Sequence, residues 1–197
     1  TSHFGRILHD VESAGLAVLH ERLPQMAPAQ IQARWLASEA VGRFERGVIT
    51  PEEFARAFLA EWPLHLEPTA FLREFASWVR GFLPGAARLL AHLRLRHTVA
   101  CLSNTNAVHW AVLDDVRDAF DVCVVSHLIG HMKPERAAYE HALRRLGAEP
   151  QRVCFFDDLA HNVAAARELG LQAHQVRGVA ETEAALRGLG IAPPEHV

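Results

Sequence analysis

Three polar clusters, each preceded by an apolar run, hold the residues of this chain that could do chemistry. The run Val153-Cys154-Phe155-Phe156 leads straight into Asp157-Asp158. Adjacent carboxylates raise each other's pKa unless a cation lies between them. Two hard oxygen donors with water suit Mg2+, although one Asp capping a helix beside a solvated neighbour would look the same. A second run ends in Ser103-Asn104, a small hydroxyl with backbone N–H groups around it. A third leads through a loop to Lys133, the single lysine among 20 basic residues. A chain that otherwise uses arginine and keeps one lysine points to a place that needs a compact ammonium on a flexible stem. Against that, one lysine has to fall somewhere. Hydroxyl and amides for two phosphoryl oxygens, an ammonium, and a carboxylate pair for a divalent ion together describe a phosphate site.

The elements around these clusters must bring them to one place. The apolar run before Asp157 is short and carries a β-branched residue and two aromatics, which reads as a buried strand. From residue 83 onward, strands at about 98–102, 122–125, 153–156 and 173–176 alternate with helices at about 86–95, 107–118, 135–146 and 159–170. That alternation predicts a parallel sheet with right-handed crossovers. Its strands end on a common edge, where open α/β sheets bind ligands. Residues 127–134 read as loop. Residues 4–8 read as the end of a strand and a turn, so the first strand should precede or include Phe4.

Residues 10–82 read as helical throughout. Pro28 can open a helix at its first position, with Gly47 to close it, and Thr50-Pro51-Glu52-Glu53 is a capping box. Phe54, Phe58 and Trp62 share one helical face, and Phe71, Phe75, Trp78 and Phe82 another. Such stripes are read as the core of a small bundle rather than a ligand box. The reading is an α/β core (residues 1–9 and 83–197) interrupted by a helical cap (10–82) over the carboxyl edge of the sheet.

With 197 residues, half of them hydrophobic and 22% charged, the chain is globular. A net charge of −3 without a basic stripe argues against nucleic acid as a partner. No apolar run is long enough for a membrane span, and no signal peptide is read at the start. Three cysteines, Cys101, Cys123 and Cys154, fall in predicted strands. An odd number of buried thiols predicts a reducing, cytoplasmic setting rather than a disulfide frame.

At this point the sequence resembles the haloacid dehalogenase-like (HAD) hydrolase superfamily. Leu102-Ser103-Asn104-Thr105-Asn106 looks like its second motif, Lys133-Pro134-Glu135 with Tyr139 like its third, and Phe155-Phe156-Asp157-Asp158 with Asn162 like its fourth. Phe44-Glu45-Arg46-Gly47 and Leu83-Pro84-Gly85 match a subgroup with a small helical cap, similar to phosphatases of sugar phosphates such as glucose 1-phosphate. The fold implied is α/β, a HAD-like Rossmannoid parallel sheet with an inserted helical-bundle cap. The activity implied is a Mg2+-dependent phosphohydrolase acting on a small phosphorylated metabolite. Ser103 would bind the phosphoryl group, Asn104 would support it through its backbone, and Lys133 would hold nucleophile and phosphate together. Asp157 would ligate Mg2+, Asp158 would be a second or outer ligand, and Asn162 would orient groups around the metal.

The first motif departs from the family. The resemblance calls for a nucleophilic Asp two residues before Gly5, to form an aspartyl phosphate, and His3 stands there. Asp10 lies too far along. Either residues preceding Thr1 carry the nucleophile, or the chain is a HAD-like protein that binds phosphate without cleaving it. Metal-free dehalogenation of a haloacid is a third alternative, and the crowded Asp157-Asp158 pair speaks against it. Further candidates are His3 and His9 as a substitute ligand or base, and His127 with His131 as a metal pair. His161 beside the site and residues 43–46 of the cap could meet substrate.

Overall fold

The computed structural model describes residues 2–4, 12–79 and 81–191. Five strands form one sheet in the order β3-β2-β1-β4-β5. They are β1 (Ser2–Phe4), β2 (Val99–Ser103), β3 (Val122–Val125), β4 (Cys154–Asp157) and β5 (Gln172–Gln175), and every neighbouring pair is parallel. Side chains alternate between the faces. Val99, Cys101, Cys154 and Phe156 join one cluster with Leu89, Leu90 and Leu186. Leu102, Val124 and Phe155 join another with Tyr139, Ala142, Val163 and Ala166. Both faces are therefore covered, which is why β2 and β4 are apolar along their length. The helices supplying one face are α6 (Ala86–Arg94), α8 (Asp114–Asp118) and α12 (Gly178–Gly188). Those supplying the other are α10 (Arg136–Leu146) and α11 (Ala160–Glu168).

β1 lies in the middle, with His3 in register with Ala100 on one side and Phe155 on the other. The expected first strand is thus present and central. Gly5, His9 and Asp10 lie outside the described residues.

Five helices make the inserted cap: α1 (Glu12–Arg22), α2 (Pro28–Ala37), α3 (Glu39–Glu45), α4 (Pro51–Glu61) and α5 (Pro68–Ala76). Their buried side chains form a cluster of their own that includes Leu19, Ile31, Phe44, Phe54, Phe58 and Phe71. The rings of Phe44 and Phe54 stack with centroids 4.2 Å apart. The capping box forms as read: the Thr50 hydroxyl accepts from the Glu53 N–H, and the Glu53 carboxylate accepts from the Thr50 N–H. Among the described residues no helix is long and apolar enough to cross a membrane.

Several elements differ from the sequence reading, each for a packing reason. The helix opened by Pro28 breaks at Ser38, whose side chain accepts from the Val41 N–H and starts α3. The helix expected over 107–118 is two, α7 (Ala107–Ala111) and α8. The break lets Leu113 and Val116 enter the sheet cluster while Val108 stays against the cap cluster. The expected loop after β3 opens with a short helix, α9 (Ser126–Ile129). Phe82 leaves the aromatic stripe of α5 and packs against the sheet cluster, because α5 has already ended at Ala76.

The cap meets the core along a tight seam. Gly47 has φ +68°, and a Cβ there would lie 2.1 Å from the His127 carbonyl oxygen. Beside it, the Arg46 guanidinium bonds the Glu135 carboxylate at 2.6 Å. Burial would raise the Glu135 pKa, but the hydrogen bonds from Arg46 and His131 hold it below the usual range. Farther along, His109 of α7 stacks on Phe75, centroids 4.1 Å apart, and its Nε2 bonds the Phe75 carbonyl at 2.9 Å. A carbonyl can only accept, so Nε2 carries the proton and Nδ1 accepts from the Asn106 amide at 3.1 Å.

Candidate active site

Parallel strands on either side of β1 carry Ser103 and Asp157 to the same edge of the sheet. The segment after β3 and α9 brings Lys133 between them. The Lys133 ammonium donates to Asp157 Oδ2 at 2.7 Å, with the two side chains 4% and 1% exposed. Asp157 Oδ1 accepts from the Leu159 N–H at 2.9 Å and the Asn162 amide at 3.0 Å. Burial pushes the Asp157 pKa up, but the Lys133 charge and hydrogen bond, with those from Leu159 and Asn162, outweigh it and leave the carboxyl below its ordinary value. Tyr139 donates to the Asn162 carbonyl at 2.9 Å. Burial first, and the charge of Asp157 second, push its hydroxyl up, so it stays a neutral donor.

The side chain of Asn104 is engaged with the peptide group of Lys133. Its amide N donates to the Lys133 carbonyl at 2.9 Å, and its amide O accepts from the Lys133 N–H at 2.8 Å. An amide is complementary to a peptide group in both senses, so this two-point clamp sets the loop that carries Lys133. The Ser126 hydroxyl makes a similar tie, bonding both the N–H and the carbonyl of Thr105 at 2.9 Å. These ties link the ends of β2 and β3 and keep the ammonium from choosing its own position.

Above these groups is a cavity of about 240 Å³. Its floor includes Ser103, Asn104, Lys133, Asp157, Asp158 and Asn162, and the cap contributes Leu16, Trp35, Leu36, Glu45 and Trp78. The site residues Ser103, Asn104, Lys133, Asp157, Asp158 and Asn162 read from the sequence therefore line one space. His161 also lines it, from an exposed position on α11. Sequence reasoning missed His109 and Met132 in the lining; His109 carried a signal in the capping residue Asn106 three positions before it. It also treated the aromatic stripes as core instead of ligand wall, whereas Trp78 is both, 3% exposed and facing the cavity.

Other candidates are placed elsewhere. His131 lies 3.3 Å from Glu135, His127 sits in α9, and neither lines the cavity. Of the cap residues 43–46, Arg43 pairs with Glu39 at 3.9 Å and Arg46 with Glu135, leaving Glu45 in the lining. The cysteines are free thiols, and burial raises all three, Cys101 to about 12. They are too little ionised for nucleophilic work.

The donor set suits a hard divalent ion. Asp158 is half-buried on the cavity wall, and Asn162 Oδ1 is buried with no hydrogen-bond partner among the described residues. Among the described residues no three His, Cys, Asp or Glu cluster as a ready-made metal cage. An ion held here would keep several waters, as Mg2+ does.

In fold, the chain resembles a HAD family enzyme from Bacteroides thetaiotaomicron solved as a magnesium complex. The TM-score is 0.76 at 22% identity, covering 94% of this chain and 96% of that one. It also resembles an L-2-haloacid dehalogenase, with TM-score 0.67 at 22% identity, over 99% of this chain and 88% of that one. A stretch of 70 residues, 36% of the chain, is 39% identical to rat bifunctional epoxide hydrolase 2, and spans only 12% of that protein. A longer match, 28% identity over 141 residues, links 68% of the chain to 70% of a sesquiterpene phosphatase of Aspergillus oryzae. The model of the haloacid dehalogenase-like hydrolases matches residues 27–170, well over half the sequence, and the chain belongs to that family.

Proposed function

We propose that the chain is a Mg2+-dependent phosphohydrolase acting on a small phosphate monoester. The observation that carries this reading is the buried Lys133–Asp157 pair at 2.7 Å on the floor of a cavity shared with Ser103. Ser103 and the amides after β2 would take phosphoryl oxygens, and Lys133 would neutralise their charge. Asn104 would position Lys133. Both oxygens of Asp157 are already engaged, so its part is to anchor the ammonium. Asp158 and Asn162 Oδ1 would then hold Mg2+, the reverse of the order read from the sequence for the two carboxylates. When bound, the ion would supply further charge neutralisation at the phosphoryl group. The core would comprise residues 1–9 and 83–197 and the cap 10–82. The free thiols accord with a cytoplasmic setting. A sugar phosphate is one candidate for the substrate, on the resemblance to glucose 1-phosphate phosphatases.

Cleavage through an aspartyl phosphate needs a carboxylate at the end of β1. That strand's central place supports this route, because both of its neighbours carry site residues. His3 on the same strand favours a second reading, phosphate binding without turnover. The test is Mg2+-dependent hydrolysis of an activated aryl phosphate by the parent chain and by His3→Asp, with Lys133→Met as control. Turnover by the parent that vanishes with Lys133→Met supports the enzyme reading, whereas turnover that appears only in His3→Asp supports a phosphate site that lacks its nucleophile. Silence in both forms, with phosphate still bound, leaves the binding reading.

A further inference from the structure

We propose that the cavity takes a phosphate monoester with an aromatic or otherwise apolar body, in preference to a sugar phosphate; this rests on the phosphate-site reading above. The cavity has two chemically different ends. The core contributes Ser103, Lys133 and Asp158, with Asn106, His109 and His161, while the cap contributes Leu16, Trp35, Leu36 and Trp78 beside Glu45, and Met132 and Leu159 add apolar surface from the core. Each hydroxyl of a sugar brought against that apolar wall would lose water and need a partner, and an unmatched polar group is penalised. An apolar body gains from the same wall by leaving water. Leu36 is 72% exposed, a large side chain left in water at the cavity, and a ligand would cover it.

The experiment holds the head group constant and varies the body. Titration calorimetry on the full chain compares methylphosphonate, (1-naphthylmethyl)phosphonate and glucose 1-phosphate, with 1-naphthol as a control. The naphthyl ligand should bind at least about tenfold more tightly than methylphosphonate, a gain that roughly 55 Å² of newly buried apolar surface supplies. It should also bind more tightly than glucose 1-phosphate. Leu36→Glu, at an exposed position that folding does not depend on, should cut the naphthyl-to-methyl affinity ratio several-fold. Equal or tighter binding of glucose 1-phosphate overturns the proposal, as does an unchanged ratio in Leu36→Glu. Naphthol binding as tightly as its phosphonate also overturns it, since the head group would then contribute nothing. If no phosphorus ligand binds at all, the phosphate site itself is wrong, an outcome distinct from a site that binds methylphosphonate without preferring the naphthyl body.

Discussion

The Lys133 ammonium and the Asp157 carboxylate meet at 2.7 Å with almost no exposure of either side chain. Taking both charges out of water is costly, and the cost is offset only while each has the other. Asp157 has further support from the Leu159 N–H and the Asn162 amide. A polar pair held this firmly at the edge of an apolar sheet is better explained by the charge it presents to a ligand than by stability.

Removing one partner should therefore hurt more than removing both. Lys133→Met leaves a buried carboxylate without its cation and should cost about 3–5 kcal/mol. The double variant Lys133→Met/Asp157→Asn should be more stable than Lys133→Met alone. Urea unfolding of the parent, both single variants and the double variant gives the coupling energy directly. Additive losses would mean that the two groups do not depend on each other.

The pair also sets an acid limit. The Asp157 pKa is depressed in the folded chain from an ordinary value of 3.8. Its contribution to stability is therefore present above that unfolded-state value and is lost as pH falls through the lower folded-state value. Between pH 6 and pH 3 the parent should lose more stability than the double variant. Parallel denaturation midpoints against pH for the two proteins would rule out Asp157 as the source.

Mg2+ should raise the melting temperature, and Asp158→Asn should remove more of that rise than Asp157→Asn does. The reason is that Asp157 is committed to Lys133, Leu159 and Asn162, while Asp158 stands half-exposed on the cavity wall. At free Mg2+ one hundred times its Kd, linkage supplies about 2.7 kcal/mol, several degrees for a chain of this size. Thermal scans with Mg2+ and with chelator measure it. No shift in the parent at millimolar Mg2+ would count against the metal site, and a shift that survives Asp158→Asn would return the leading role to Asp157.

Gly47→Ala should loosen the seat of the cap. The left-handed backbone costs a non-glycine residue about 1–3 kcal/mol, and the added Cβ would collide with the His127 carbonyl at 2.1 Å. The expected result is a loss of more than about 1 kcal/mol, with faster amide exchange along α3 and α9. A variant as stable as the parent, with unchanged exchange, would show that the seam yields easily.

The strand–helix alternation after residue 83, the capping box at Thr50 and the three polar clusters were all legible in the sequence, because each depends on near neighbours in the chain. Backbone periodicity and capping are local, so residue order alone determines them. The relations that make a site were decided by tertiary structure. Nothing near Asn104 in the chain says that its amide will grip the peptide of Lys133, 29 residues on. Nothing near Asp157 says which of two adjacent carboxylates will meet the ammonium, since Lys133 lies 24 residues away and only the fold brings it to Asp157. The same holds for the cap. Helical spacing marks Trp78 as apolar and inward, but it also forms the wall of a cavity only because the segment just after α5 comes together with the ends of β2 and β4. Packing between distant elements settled that, and with it the difference between a hydrophobic stripe and a binding surface.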